Sequence, residues 1–159
     1  MGLMDAKEYD PRPAQRRMKI IASLALIAVI VGIVWFLFRY WPEERVINRF
    51  FDAIERSDMQ SAYGLYFNDP TWQQHPEKHD RYSFGQFQLD WGPSGEYGKV
   101  TSHHVECSTE PPKKGDVSPS GVIVVVRINN RAETKSMWVE KKSKTITESP
   151  QTVLCHGDH

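Results

Sequence analysis

The chain has no net charge: 20 Lys and Arg are matched by 20 Asp and Glu, so no overall field draws it to nucleic acid. The short patterns that mark common chemistries are missing as well. No serine sits in a nucleophile elbow and no cysteine pair stands at zinc-finger spacing. No glycine-rich loop is spaced to cradle phosphates or a dinucleotide, since Gly85, Gly92 and Gly95 are isolated turn glycines. A copper-binding motif is also absent, and there are only two cysteines. Mean hydropathy is −0.53 although one segment is strongly apolar, so the rest of the chain is polar and offers no second span.

That one segment is Ile20–Phe38, 19 residues without a charge, in which Ser23 is the only conventionally polar side chain. As a helix it is roughly 28 Å long, against about 30 Å for a bilayer's hydrocarbon core. Lys19 and Arg39 close its ends, where their side chains can snorkel, and Trp35, Tyr40 and Trp41 stand where an aromatic belt belongs. The uninterrupted run and charged borders favour a transmembrane helix over 19–41 rather than a buried core helix. It is too long for a cleaved signal peptide and ends in Trp-Phe-Leu-Phe-Arg-Tyr-Trp instead of small residues, which reads as an uncleaved anchor. Ala28 and Gly32 form one small-xxx-small pair on it, a weak pointer to helix packing.

Charge is split around this span. Residues 1–39 carry six basic and three acidic side chains, and residues 42–159 carry 14 and 17. Lys7, Arg12, Arg16, Arg17 and Lys19 precede the span, against Arg39, Arg45 and Arg49 over a similar distance after it. The positive-inside rule then predicts a plasma (inner) membrane protein with a cytoplasmic N-terminus and an extracytoplasmic domain. Residues 1–18, with two prolines and mixed charge, read as a disordered cytoplasmic tail.

Pro42, Glu43 and Glu44 form a helix start, followed at helical spacing by Val46, Ile47, Phe50, Phe51 and Ile54, with Glu43 among the residues of the solvent face. Asp58 offers a second N-cap, for a helix burying Ala62, Leu65 and Tyr66. Asp69-Pro70 introduces a helical turn bearing Trp72, and Ser83 caps a helix in which Phe84, Phe87, Leu89 and Trp91 supply bulk before Gly92-Pro93-Ser94-Gly95 ends it. The period then changes. Segments 99–107, 121–129, 133–139 and 144–148 read as strands, with a hairpin turn at Asn129-Asn130 and a loop over 111–121. The expected fold class is therefore α+β: a transmembrane helix, then helices packed on a curved antiparallel sheet of about four strands over 42–150, then a tail over 151–159. With almost no linker after the span, the domain is expected close to the headgroups.

Cys107 falls at the end of the first strand and Cys155 just past the last. On an oxidising side they can form a disulfide, worth roughly 4 kcal/mol for a loop of nearly 50 residues. The alternative is one buried and one free thiol.

The run Val46-Ile47-Asn48-Arg49-Phe50-Phe51-Asp52-Ala53-Ile54, followed by Ser57-Asp58-Met59-Gln60-Ser61-Ala62-Tyr63, resembles the opening of a nuclear transport factor 2-like (cystatin-like) domain. The resemblance covers 42–149 in outline, without the early strand between second and third helices. It implies a pocket between helices and sheet, used across that superfamily for ligand binding, catalysis or protein contact. It also implies that Asp90, Tyr63, Tyr66, His103 and His104 could lie near that pocket. Adjacent strand residues point to opposite faces, so at most one of the two histidines faces inward; His104 beside Asp90 would make an acid–base pair. The plainer reading makes Asp90 a surface carboxylate at a helix end and the histidines part of a half-exposed strand.

His75 and His79 have i, i+4 spacing, but Pro76 intervenes and no ligand set is completed, so no metal and no cofactor is expected. The C-terminal Cys155-His156-Gly157-Asp158-His159 reads as a solvated tail, and Lys113-Lys114 and Lys141-Lys142-Lys144 as short basic patches. Trp72, Tyr82, Phe84, Phe87, Trp91 and Tyr97, interleaved with Gln73, Gln74, Gln86 and Gln88, suit either core packing or an interaction surface. The leading expectation is a non-catalytic accessory protein, its partners the lipid bilayer and a membrane or envelope protein, with Trp72, Phe87, Asp90, Trp91 and His104 the candidate binding residues. A pocket enzyme or small-molecule binder is the second reading. The third, by layout alone, resembles membrane-anchored cytochrome oxidase assembly factors.

Overall fold

The computed structural model describes residues 12–111 and 120–155, with side chains from residue 16 onward. They fall into two units divided after Arg39. The first is a single helix, α1 (Arg12–Phe38). It begins within the stretch expected to be a disordered tail, with Pro13 in its first turn, where a missing N–H costs nothing. Every large apolar side chain of this helix from Met18 to Phe38 is 49–70% exposed. One helix is therefore long and apolar enough to cross a membrane.

The second unit has the expected α+β architecture. Helix α2 (Trp41–Glu55) carries Pro42 in its first turn and Glu43 and Glu44 beside it. Helix α3 (Met59–Phe67) is capped by Asp58, whose carboxylate accepts from the Ser61 N–H at 3.1 Å. The turn between them places Ser57 at φ +59°. Two 3₁₀ segments, Trp72–Gln74 and Pro76–Tyr82, lead to α4 (Phe84–Trp91), capped by Ser83. No strand separates α3 from α4 among the described residues. Four strands follow in an open antiparallel sheet of order β1-β2-β3-β4: β1 (His103–Thr109), β2 (Gly121–Ile128), β3 (Thr134–Glu140) and β4 (Ile146–Glu148). Asn129 and Asn130 both stand at φ +53°, the geometry their sequence position suggested.

The core lies between the helices and one face of the sheet. Ile47, Phe50, Phe51 and Ile54 of α2 pack with Tyr63, Tyr66, Phe87 and Trp91 against Val122, Val124, Val126 and Ile128 of β2. Phe50 is the hub, with edge-on contacts to Phe51, Phe87 and Trp91 at 5.1–6.1 Å between ring centres. Offset and edge-to-face aromatic pairs of this kind stabilise beyond their buried area, by about 0.5–1.5 kcal/mol each.

Strand β2 is buried on both faces, since Ile123 and Val125 are as inaccessible as the core valines. On this second face Trp138, paired with Ile123, lies over Gly121, and the chain after β4 crosses at Val125. A bulge at Glu106 shifts the register between Val105 and Cys107. The extra residue turns Cys107 onto the face opposite His103 and Val105, opposite Val125, which in turn pairs with Ser136. Residues 149–155 run across this row. The Ser149 N–H donates to the Ser136 carbonyl at 3.1 Å, the Val153 N–H to Ser136 Oγ at 3.4 Å, and Cys155 ends the crossing in a disulfide with Cys107. The tail expected over 151–159 is thus a strap as far as Cys155, held by the disulfide with Cys107; His156 to His159 lie outside the described residues.

Two expectations about burial need correction. Glu43 is only 5% exposed and accepts from Lys144 Nζ at 2.5 Å, so the pair sits at the edge of the core rather than on the solvent face. Leu89, expected to supply core bulk, is 62% exposed, because Phe87 and Trp91 already define the buried side of α4.

Candidate functional site

Helix α4 and the glycine-rich turn after it build one wall of a cleft of about 480 Å³, and β3 and β4 build the other. The lining is Tyr66, Tyr82, Leu89, Asp90, Trp91, Glu96, Tyr97, Lys135 and Glu148. Gly95 makes this shape possible. An ideal Cβ there would lie 2.1 Å from the Asp90 carbonyl oxygen, so only glycine lets the chain fold back far enough to set Glu96 and Tyr97 opposite Asp90. Gly98, at φ +62°, then turns the chain toward the sheet. Asn129 holds the turn from the far side: its amide donates to the carbonyls of Tyr97 and Lys99 at 3.1 Å.

Asp90 is fixed by two neutral donors. The Tyr82 hydroxyl donates to Oδ2 at 2.8 Å and Gln86 Nε2 to Oδ1 at 2.9 Å. Across the cleft, Lys135 Nζ is paired with Glu148 and stands 4.0 Å from Glu96. Burial opposes the lysine's charge, but the bonded Glu148 carboxylate and neighbouring charges outweigh it, so its pKa is raised. The phenols are held protonated. Burial, then the charges of Glu148 and Asp90, push Tyr66 up to about 12. Tyr82 is raised by burial and by its bond to Asp90, and Tyr97 chiefly by burial. The cleft therefore sets neutral tyrosine hydroxyls and the Lys135 ammonium beside the acidic side chains of Asp90, Glu96 and Glu148.

Of the residues singled out from the sequence, Asp90 and Trp91 line this cleft. Phe87 lies beneath it, fully buried in the core. His104 does not join them: it is exposed, pairs across the strands with Arg127, and lies on the sheet face away from the helices. The inward histidine is His103. Its ring stacks on Phe51 at 5.3 Å, with Nδ1 at 2.6 Å from Glu55 Oε1 and Nε2 at 3.1 Å from Asn48 Oδ1. Asp52, Glu55 and His103 bring ligand-type atoms within 4.8 Å of one another, and two of the three are bonded to each other there.

Trp72 belongs to a second, shallower hollow of about 640 Å³ with Gln60, Gly64, Leu65, Pro70 and Gln73. Its indole donates to the Gln60 carbonyl at 3.2 Å and its ring meets Tyr63 edge-on at 4.7 Å. Tyr63 itself is buried and donates to the Tyr82 carbonyl at 2.6 Å. Beside it, His75 and His79 converge on one acceptor, Asp69 Oδ2, at 2.7 and 3.1 Å. The aromatic-rich stretch 72–97 thus divides: Phe87 and Trp91 are core, Trp72, Tyr82 and Tyr97 are half-buried and frame the two hollows, and half-buried Phe84 packs on Tyr63 and Trp72.

Sequence reasoning missed Lys135, Glu148 and Glu96. All three look like ordinary surface charges in their strands and turn, and only the sheet register brings Lys135 and Glu148 to α4. Of the basic patches, Lys141 pairs with Glu110 and Lys144 with Glu43, while Lys113 and Lys114 lie outside the described residues.

No protein-family model, curated protein or solved structure matches this chain.

Proposed function

We propose that this chain is a membrane-anchored, non-catalytic accessory protein that presents a nuclear transport factor 2-like domain to a protein or envelope partner outside the cytoplasm. The observation that carries the reading is α1: its Leu, Ile, Val and Phe side chains are all exposed, on a chain whose folded unit has a complete core of its own. Exposed apolar surface on that scale needs lipid or a partner to cover it. The disulfide agrees with an oxidising compartment for the second unit, and the surplus of Lys and Arg before the span favours a cytoplasmic N-terminus.

Two measurements test this. The full chain should stay with membranes through alkaline carbonate washing, and a reporter fused to its C-terminus should be active only outside the cytoplasm. Co-purification in mild detergent should return a reproducible stoichiometric partner. A chain released by carbonate, or one that emerges alone and monodisperse, would count against the anchored accessory role. A partner belonging to a respiratory complex would favour the assembly-factor variant of the same reading.

A second reading, a small-molecule or catalytic pocket, draws on the cleft at Asp90. Loss of a turnover or ligand affinity on Asp90→Asn, with partner binding intact, would move the assignment toward it.

A further inference from the structure

The cleft beside α4 holds a polar group with nothing to bond. Tyr66 is 8% exposed, its hydroxyl makes no hydrogen bond among the described residues, and it lines the cleft within the field of both Asp90 and Glu148. The rest of the side chain is enclosed, so the hydroxyl opens on the cleft, where a bound group can take the place of water. Asp90, next to it, is bonded only to the neutral donors Tyr82 and Gln86 and has no cationic partner among the described residues. The lining as a whole sets three carboxylates (Asp90, Glu96, Glu148) against the one ammonium of Lys135.

We propose that this cleft is a recognition site for a basic side chain, the guanidinium of arginine or the ammonium of lysine, carried on a peptide segment of the partner. The inference rests on the accessory reading above and adds the chemistry of the partner's contact. Each Asp90 oxygen has accepted one hydrogen bond and keeps a second lone pair, and the Tyr66 oxygen is free to accept. A multidentate donor such as guanidinium can use these acceptors together. The tyrosine walls favour the same ligand, since a cation gains from an aromatic face. This stretch already shows such a contact: Arg131 lies 5.4 Å from the Tyr97 ring centre, tied to the carbonyls of Glu96 and Tyr97. Leu89, exposed on the rim, offers apolar contact to the side-chain stem or to a neighbouring leucine of the same peptide. Charge complementarity thus selects a peptide that is basic with apolar neighbours.

The test uses the full chain in non-ionic maltoside micelles and a fluorescent hexapeptide containing two arginines and two leucines, read by anisotropy. A matched peptide with citrulline in place of arginine has the same shape and no charge. The arginine peptide should bind at least about tenfold more tightly than the citrulline one, as expected for losing a charge-assisted bond. Asp90→Asn should weaken arginine-peptide binding about tenfold, and Tyr66→Phe, which keeps the ring and the packing, about fivefold. Gln73→Ala, in the other hollow, should leave it unchanged. Equal binding of the two peptides, or no loss in either cleft variant, overturns the proposal. Displacement of the peptide by short-chain phosphatidylethanolamine at comparable concentration, lost in Asp90→Asn, would assign the cleft to a lipid amine and overturn the peptide assignment. If instead the native partner still co-purifies with Asp90→Asn and Tyr66→Phe, the cleft assignment falls while the accessory role stands.

Discussion

Glu43 and Lys144 stand 101 residues apart and meet at 2.5 Å, with the carboxylate almost wholly buried at the start of α2 and the ammonium on the turn before β4. The pair joins the first helix of the domain to its last strand. Lys144 holds a left-handed backbone conformation, φ +57°, in a turn closed by its N–H donating to the Glu140 carbonyl at 2.9 Å. Lys144→Met should therefore destabilise the domain by about 3 kcal/mol, because it leaves a buried carboxylate uncompensated. Lys144→Met combined with Glu43→Leu should recover most of the loss. Urea unfolding of the full chain in micelles, followed by tryptophan fluorescence, measures both; a single variant as stable as the parent would refute the coupling.

The disulfide makes a second prediction. Cys107→Ser with Cys155→Ser should lower stability by about 2–4 kcal/mol, since the bond closes a separation of 48 residues. The loss should exceed that of an isolated tether, because residues 149–155 also cross the sheet at Val125, which would be left open to water. Thermal melts with and without dithiothreitol test this on the unmodified chain. Coincident melts would show that the strap holds without the bond.

How far this was readable beforehand depended on the interactions concerned. The caps at Asp58 and Ser83, the hairpin at Asn129-Asn130 and the α+β order are local signals, and each is where sequence placed it within a few residues. The two cysteines were pairable from position alone, yet plain strand alternation puts Cys107 on the same face as His103 and Val105. The bulge at Glu106 reverses that, and no single residue type announces a bulge. His104 was preferred to His103 because two adjacent positions tell only that one faces inward, and the register alone tells which. Lys135 and Glu148 joined Asp90 only through long-range packing.

Asp69 gives a pH prediction. Its carboxylate accepts from His79, His75 and Thr71, and these bonds hold its pKa well below the ordinary 3.8 despite an opposing contribution from desolvation. A carboxyl depressed in the folded state contributes stability above its unfolded pKa and loses it as pH falls through the folded one. Stability should therefore drop on acidification below about pH 4 in the parent. In Asp69→Asn that slope should be shallower, since the group responsible is gone. Parallel melting-temperature profiles between pH 5 and 2.5 would compare the two, and identical slopes would remove Asp69 as a cause.

Two glycines on the same stretch of chain should respond oppositely to alanine. Gly85 lies in the first turn of α4 with open space around it, its nearest neighbour being Ser83 Oγ at 3.9 Å from a would-be Cβ. Gly85→Ala should stabilise by about 0.5–1 kcal/mol, through a less flexible unfolded chain and better helix propensity. Gly95 has no such room. A Cβ would meet the Asp90 carbonyl at 2.1 Å and the Leu89 carbonyl at 2.8 Å, both rigid backbone atoms, so the turn must open. Gly95→Ala should cost about 1–3 kcal/mol as an overpacked site. Opening the turn also moves Glu96 and Tyr97 away from Asp90, so the cleft loses one wall while the core around Phe50 and Phe87 is untouched. Chemical denaturation reports the energy, and the near-ultraviolet circular dichroism of Trp91 stacked on Tyr97 at 6.0 Å reports the wall. An alanine at 95 that leaves both unchanged would mean that the turn, and with it the cleft, does not depend on the glycine.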